Sequence, residues 1–276
     1  EAAACAWADA RAGSLLAETR ASRRVGFPMT HANYYAADLP WRRRRLFLGR
    51  LLQGAWRALN PRHPMLTAPL HRAAPDQAHI RCWEQIAGAL GVACDYSAPW
   101  LQAAPPPNDI AAFAREARGR GLQVLAAHTH ARLPGKQWPL AQWRQLLALP
   151  EVAARFAVIE ILPPGAEPLG LEGNLVARSP DVAALASALG AADAVLCHDS
   201  LPSHFAAALG KPVVAIFGSG EPDWFAPWKN RGRVVQRRVC PLHPCIDRCG
   251  MDHYLCVERI AVGDVLRQLE LLPQGA

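Results

Sequence analysis

The stretch from Asp193 to Gly218 constrains the fold of this chain more than any other. It reads as strand, tight loop, helix, strand. Ala194 to Cys197 is a short apolar run, the pattern of a strand buried on both faces. Asp199 and Ser200 sit at its carboxyl end, placed to cap the helix that follows. Pro202 suits the first turn of that helix, where its missing N–H costs nothing. Gly210 fits the position just past the helix, and Lys211-Pro212 opens the next strand, Val213 to Phe217. A helix start at the carboxyl end of a parallel strand favours an anion. Ser200, Ser203 and Ala206 are small enough to let a diphosphate approach the backbone, and His204 lies in the first turn. On spacing alone, Asp199 and His204 read equally as a helix cap and a surface histidine.

With 276 residues and 51% hydrophobic content, the chain can build one large domain or two medium ones. Two Rossmann-like halves are the natural division, at 1–104 and 105–276, across the stiff linker Ala104-Pro105-Pro106-Pro107-Asn108. The net charge of +7 favours anionic partners. No run of 18 apolar residues is present, so no membrane span is expected. The first residues carry neither a Met nor a basic start and read as the middle of a domain. Cys5, Cys82, Cys94 and Cys197 lie in apolar surroundings and read as reduced core residues.

Along the first half, Ala3 to Asp9 reads as a strand, Ala12 to Thr19 as a helix and Arg23 to Phe27 as a strand. From Leu39 to Asn60, Trp41, Phe47, Leu51, Leu52, Trp56 and Leu59 recur at helical spacing. Arg42 to Arg45, Arg50 and Arg57 fill much of the remainder. This is either a core helix with a solvated arginine face or an amphipathic helix that lies on anionic lipid. Gln77 to Gly91 reads as a helix.

In the second half, Asn108 caps a helix over Asp109 to Arg118, and Gln123 to Ala127 is a strand. Pro139 to Leu147 is a helix, Phe156 to Leu162 a strand, Asp181 to Gly190 a helix and Ile260 to Leu272 a final amphipathic helix. Lys136 reads either as a phosphate-binding cation or as a surface lysine beside a buried Trp138. Cys240, Cys245, Cys249 and Cys256 fall within 17 residues with Pro, Gly and His between them. Such density suggests a structural metal knuckle, with reduced or disulfide-linked cysteines as the other reading.

Asp199-Ser200 with His204, followed by Ala206 to Gly218, resembles the nucleotide-sugar signature of the lipopolysaccharide heptosyltransferase family, glycosyltransferase family 9. Lys136-Gln137-Trp138-Pro139 and the loop Gly218 to Pro222 resemble it too. Ser200-Leu201-Pro202 departs from the family's Thr-Gly segment by losing the glycine. The resemblance implies the GT-B arrangement of two Rossmann-like α/β domains, with the N-terminal, acceptor-side domain incomplete. It implies transfer of heptose from an ADP-heptose donor to a lipopolysaccharide core acceptor, with inversion. Thr129, Lys136, Asp199, Ser200 and His204 match the family's donor-binding groups in kind, and Glu167 is the candidate for the ribose hydroxyls.

The family's base lies in a first strand-to-helix turn that the chain does not contain, so slow turnover is expected of residues 1–276. Asp9 is the one carboxylate at a comparable strand end, and a capping role suits it better. No cofactor is expected for catalysis. The family's C-terminal cysteine cluster implies structural Zn or Fe at Cys240, Cys245, Cys249 and Cys256. The implied partners are an ADP-sugar and a lipid-linked saccharide, at the cytoplasmic side of an anionic inner membrane, with no nucleic acid. The alternatives are a nucleotide-sugar-binding remnant, a transferase acting on autotransporter proteins, and a nucleotide-sugar epimerase of the same fold.

Overall fold

A computed structural model describes residues 1–5, 19, 21–26, 68–69, 79–95, 99–228, 232–240, 243, 245, 249 and 253–273. Asp9 and the arginine-rich stretch from Leu39 to Asn60 lie outside the described residues. Two compact units divide the chain, Glu1–Asp95 and Tyr96–Ala276.

In the first unit, β1 (Ala2–Cys5), β2 (Arg23–Gly26) and β3 (Ala68–Pro69) form a parallel sheet in that order. The helix α1 (His79–Ala89) follows. Val25, Cys82 and Ile86 make a small core. Cys94, expected in the core, is exposed, because it follows α1 in a segment with no strand or helix to cover it.

The second unit carries a six-stranded sheet. Its strands are β4 (Gln123–His128), β5 (Phe156–Leu162), β6 (Leu175–Arg178), β7 (Ala194–His198), β8 (Val213–Phe217) and β9 (Gly232–Gln236). The order is β6-β5-β4-β7-β8-β9 and every pairing is parallel. This is the doubly wound order, in which the sheet first grows one way from β4 and then the other. The reversal between β4 and β7 opens a crevice at their carboxyl ends.

Helices cover both faces of this sheet, which is why its strands are continuously apolar rather than alternating. One face packs Val124, Ala126, Val195, Cys197 and Ala215 against α2 (Asn108–Gly119), α5 (Val182–Ala191) and α6 (Leu201–Ala208). The other packs Leu125, Ala127, Leu196, Val214 and Ile216 against α3 (Leu140–Leu147) and α9 (Val262–Glu270), which follows the short helices α7 (Pro222–Phe225) and α8 (Leu255–Glu258) in the chain. The period of two along each strand sorts its residues between the two cores. Arg155, between α4 (Pro150–Ala153) and β5, donates to the carbonyls of Leu269, Glu270, Leu272 and Pro273 and so ties down the end of α9.

Several helix starts differ from expectation. Asn108 lies inside α2, because Pro107 already holds the extended N-cap conformation. Ser200 is the N-cap of α6 but makes no side-chain cap bond, since its hydroxyl donates back to the His198 carbonyl. Asp181, read from the sequence as the first helical residue, is instead the N-cap of α5, accepting from the Ala184 N–H at 2.8 Å. Gly210 follows α6 at φ 75°, a conformation that residues with a Cβ rarely adopt.

Candidate functional site

The crevice between β4 and β7 holds a cavity of about 780 Å³. That is ample for a nucleotide-sized ligand. His128, Lys136, Asp199 and Ser200 supply polar groups to its wall, while Leu133, Pro163, Val182 and Leu185 supply an apolar side. Beyond β4, a 3₁₀ turn at Pro134–Lys136 brings the chain back toward β7.

Lys136 Nζ lies 2.8 Å from Asp199 Oδ2. Both groups are largely shielded, with side-chain exposures of 18% and 4%. The ammonium sits off the hydrogen-bond direction, so this carboxylate oxygen makes an ion pair without accepting a directed hydrogen bond. His204, exposed on the first turn of α6, is within electrostatic reach of Asp199 and Lys136. Lys136, Asp199, Ser200 and His204 thus gather at one end of the sheet.

The other two residues expected to bind donor stand elsewhere. Thr129 is fully buried and does not line the cavity. Its hydroxyl donates to Glu160 Oε1 at 3.1 Å. Glu167 is exposed and also off the cavity wall, whereas the buried Glu160 accepts the Leu169 N–H through both oxygens at 3.1 Å. Glu160 carries no motif and sits inside an apolar strand, so its role was not legible from spacing.

Histidines crowd the same end. His198, the last residue of β7, is completely buried. Its Nε2 accepts the Trp138 backbone N–H at 3.0 Å and also the Trp143 indole N–H at 3.3 Å. Burial, with a further push from His128, lowers its pKa to about 3. Burial and then His130 lower His128 to about 4. Both rings are therefore neutral at physiological pH.

The loop after β8 packs against the lysine turn. The Ser219 N–H donates to the Gly135 carbonyl at 3.1 Å. A Cβ on Gly218 would lie 2.1 Å from that carbonyl oxygen, and one on Gly220 would lie 2.2 Å from Asp199 Oδ2. Glycine at both positions is what lets the loop close on the site.

Of the four C-terminal cysteines, Cys245, Cys249 and Cys256 are free thiols. Cys240, Cys245 and Cys249 are partly exposed and Cys256 is buried. Burial first, then the charges of Cys249, Cys256 and Cys240, push the Cys245 thiol up to about 11. Among the described residues, no three His, Cys, Asp or Glu side chains converge as a metal-ligand group. Cys256 Sγ points to the Gly135 carbonyl and Cys249 Sγ to the His253 carbonyl, each at 3.9 Å. As placed, the four do not make the ligand set that their spacing suggests. Among the described residues, no helix is long and apolar enough to cross a membrane.

Residues 170–254 match the family described as glycosyltransferase family 9 (heptosyltransferase). That segment contains Asp199, Ser200 and His204 but begins downstream of Lys136, which lies outside it. None of the curated proteins matches the chain. Among solved structures, a family 9 glycosyl transferase from Veillonella parvula is similar at 18% identity and a TM-score of 0.57, over 95% of this chain and 76% of that one. The E. coli heptosyltransferase WaaC with ADP is similar at 16% identity and a TM-score of 0.58, over 99% and 72%. E. coli ADP-heptose heptosyltransferase II is similar at 17% identity and a TM-score of 0.56, over 94% and 78%. The fold is thus the α/β fold of the GT-B heptosyltransferases, as the sequence suggests. The class that the family match and this fold resemble is that of the glycosyltransferases. Within that class, the 170–254 segment bears the heptosyltransferase signature.

Proposed function

We propose that the protein transfers heptose from an ADP-heptose donor to a saccharide acceptor of the lipopolysaccharide core, with inversion. The observation that carries this reading is the Lys136–Asp199 pair at the mouth of the switch-point cavity, beside the start of α6. A cation and a helix N-terminus in one shielded place favour a diphosphate. The resemblance of the segment to heptosyltransferases, and the ADP named with WaaC, support a nucleotide-sugar donor.

In the reaction, the acceptor oxygen bonds to the anomeric carbon from the face opposite the diphosphate. The bond from that carbon to the diphosphate oxygen breaks, and both its electrons leave with ADP. A base takes the acceptor's proton. Asp9, the candidate base in the sequence, lies outside the described residues. Lys136 meets the charge that grows on the departing ADP, and the amide groups at the start of α6 share it. Ser200, whose hydroxyl rests on the His198 carbonyl, is free to turn its hydrogen toward a phosphate oxygen.

The first unit serves as the acceptor side in this reading, and the second as the donor side. The acceptor places the enzyme at the cytoplasmic surface of the inner membrane. Cys240, Cys245, Cys249 and Cys256 carry a separate proposal, one structural zinc or iron ion, supported by their spacing in sequence and not by their placement. No reaction step involves it. Protein purified without chelator and lacking both metals on elemental analysis overturns it.

The main reading is tested by incubating the protein with ADP-heptose and a truncated core lipopolysaccharide. Mass spectrometry of the acceptor is expected to show the gain of one heptose. Calorimetry that detects no ADP binding overturns the donor assignment.

A further inference from the structure

We propose that His198 is a positioning residue for Lys136: it fixes the lysine turn by accepting the Trp138 backbone N–H, so that the ammonium is held where a diphosphate binds.

His198 and Asp199 are consecutive at the end of β7, and Lys136 and Trp138 are two apart on the returning turn. Two contacts join these segments like rungs. The Trp138 N–H donates to His198 Nε2 at 3.0 Å, and Lys136 Nζ pairs with Asp199 Oδ2 at 2.8 Å. The first rung is buried and neutral, and the second faces the cavity. A lysine stem has four rotatable carbons and does not hold its ammonium in place unaided. The backbone it hangs from must therefore be fixed, and the first rung fixes it.

The surroundings of His198 suit this task. Trp143 stands edge-on to the imidazole at 5.4 Å between ring centres, and Trp138 stands edge-on to Trp143 at 5.3 Å. The Trp138 indole N–H donates to the Ile260 carbonyl at 3.0 Å, which ties the far side of the turn to the segment before α9. With Nε2 as acceptor, the ring carries its proton on Nδ1. A protonated ring has no lone pair for the Trp138 N–H, so the contact requires the neutral form, which burial enforces. His198 does not line the cavity, so it acts on a ligand only through the turn.

The inference rests on the nucleotide reading of the site, and ADP is the probe. His198→Leu removes the acceptor of the Trp138 N–H, and of the Trp143 indole N–H behind it, and keeps the apolar volume; only the first of these bonds holds the lysine turn. It is expected to raise the ADP dissociation constant about tenfold, the cost of one buried hydrogen bond. His198→Gln, whose carbonyl can accept the same N–H, is expected to stay within about threefold of the parent. In a Lys136→Ala background, His198→Leu is expected to add less than about twofold, because the group it positions is gone. A merely structural role instead gives equal losses in both backgrounds, or a loss that Gln does not restore, and either result overturns the proposal. If His198→Leu does not fold, nitrogen NMR of the parent protein still decides. A protonated Nε2 at pH 7 overturns the clamp, and an unprotonated Nε2 coupled to the Trp138 amide supports it. Absence of ADP binding by the parent protein sinks the nucleotide reading instead and leaves the NMR arm standing.

Discussion

Lys136 Nζ and Asp199 Oδ2 stand 2.8 Å apart, one on the turn that follows β4 and the other at the end of β7. The pair spans the point where the sheet reverses its order, so it joins the two halves of the doubly wound fold at the cavity. Lys136→Ala should weaken ADP by about 1–3 kcal/mol, the range for losing a charged hydrogen-bond partner. Isothermal calorimetry at constant salt measures this. An unchanged affinity would remove Lys136 from the phosphate site.

Buried carboxylates make a second test. Glu160 takes the Thr129 hydroxyl and the Leu169 N–H inside the sheet, beneath the crevice. Glu160→Ala leaves the buried Leu169 N–H without an acceptor, at a cost of roughly 1–3 kcal/mol, while the Thr129 hydroxyl keeps His130 Nδ1 at 3.0 Å. Urea unfolding should show this as a lower midpoint. Glu167→Ala, at an exposed position off the cavity wall, should shift the midpoint by no more than about 0.5 kcal/mol. If Glu167→Ala weakens ADP strongly while leaving stability intact, the ribose role expected from the sequence belongs to Glu167 after all.

Much of this was readable in the chain because the signals were local. The run from Ala194 to Cys197, Pro202 in the first turn and Gly210 after the last one fix a strand, a helix and a strand by short-range chemistry. Lys136 and Asp199 were both candidates, yet they stand 63 positions apart in sequence, and nothing in spacing says that they pair. Glu160 and Glu167 show the limit best. The exposed one follows a turn signal and looks available, while the buried one hides in an apolar strand, where only its partners reveal its use. His198 is a similar case. Beside Asp199 it looks like part of the loop, but the tryptophans that enclose it come from 55 and 60 residues earlier.

Acid should destabilise the protein through its buried histidines. An unfolded histidine titrates near 6.5. Burial, then His128, holds His198 to about 3, and burial, then His130, holds His128 to about 4. Between those values and 6.5 the unfolded chain binds protons that the folded chain refuses. The stabilising contribution is therefore complete above about pH 6.5 and is lost as pH falls through the window. Each pH unit inside it is worth about 1.4 kcal/mol for a fully shielded ring. His198 alone should thus remove roughly 2 kcal/mol between pH 6.5 and pH 5. Urea midpoints across this range should fall, and His198→Gln should flatten the slope. Equal slopes for parent and variant would show that His198 is already charged in the folded protein.

The last prediction concerns Gly220, which has no reactive group and belongs to the site by its lack of a side chain. An added Cβ would lie 2.2 Å from Asp199 Oδ2, far inside contact distance, and Gly220 is itself buried. The Gly220 carbonyl accepts from Gln236 Nε2 at 2.9 Å, so the loop is not free to swing away. The carboxylate must then move, and it moves relative to Lys136. Gly220→Ala should therefore lower stability by about 1–3 kcal/mol, the usual cost of forcing atoms into a filled space. It should also weaken ADP. The two effects separate in a double-mutant comparison. In a Lys136→Ala background, Gly220→Ala should still lower the urea midpoint but should no longer change ADP affinity, because the displaced pair is already broken. If the variant binds ADP as the parent does while unfolding at lower urea, Asp199 tolerates displacement and the exact placement of the pair is not what the nucleotide reads.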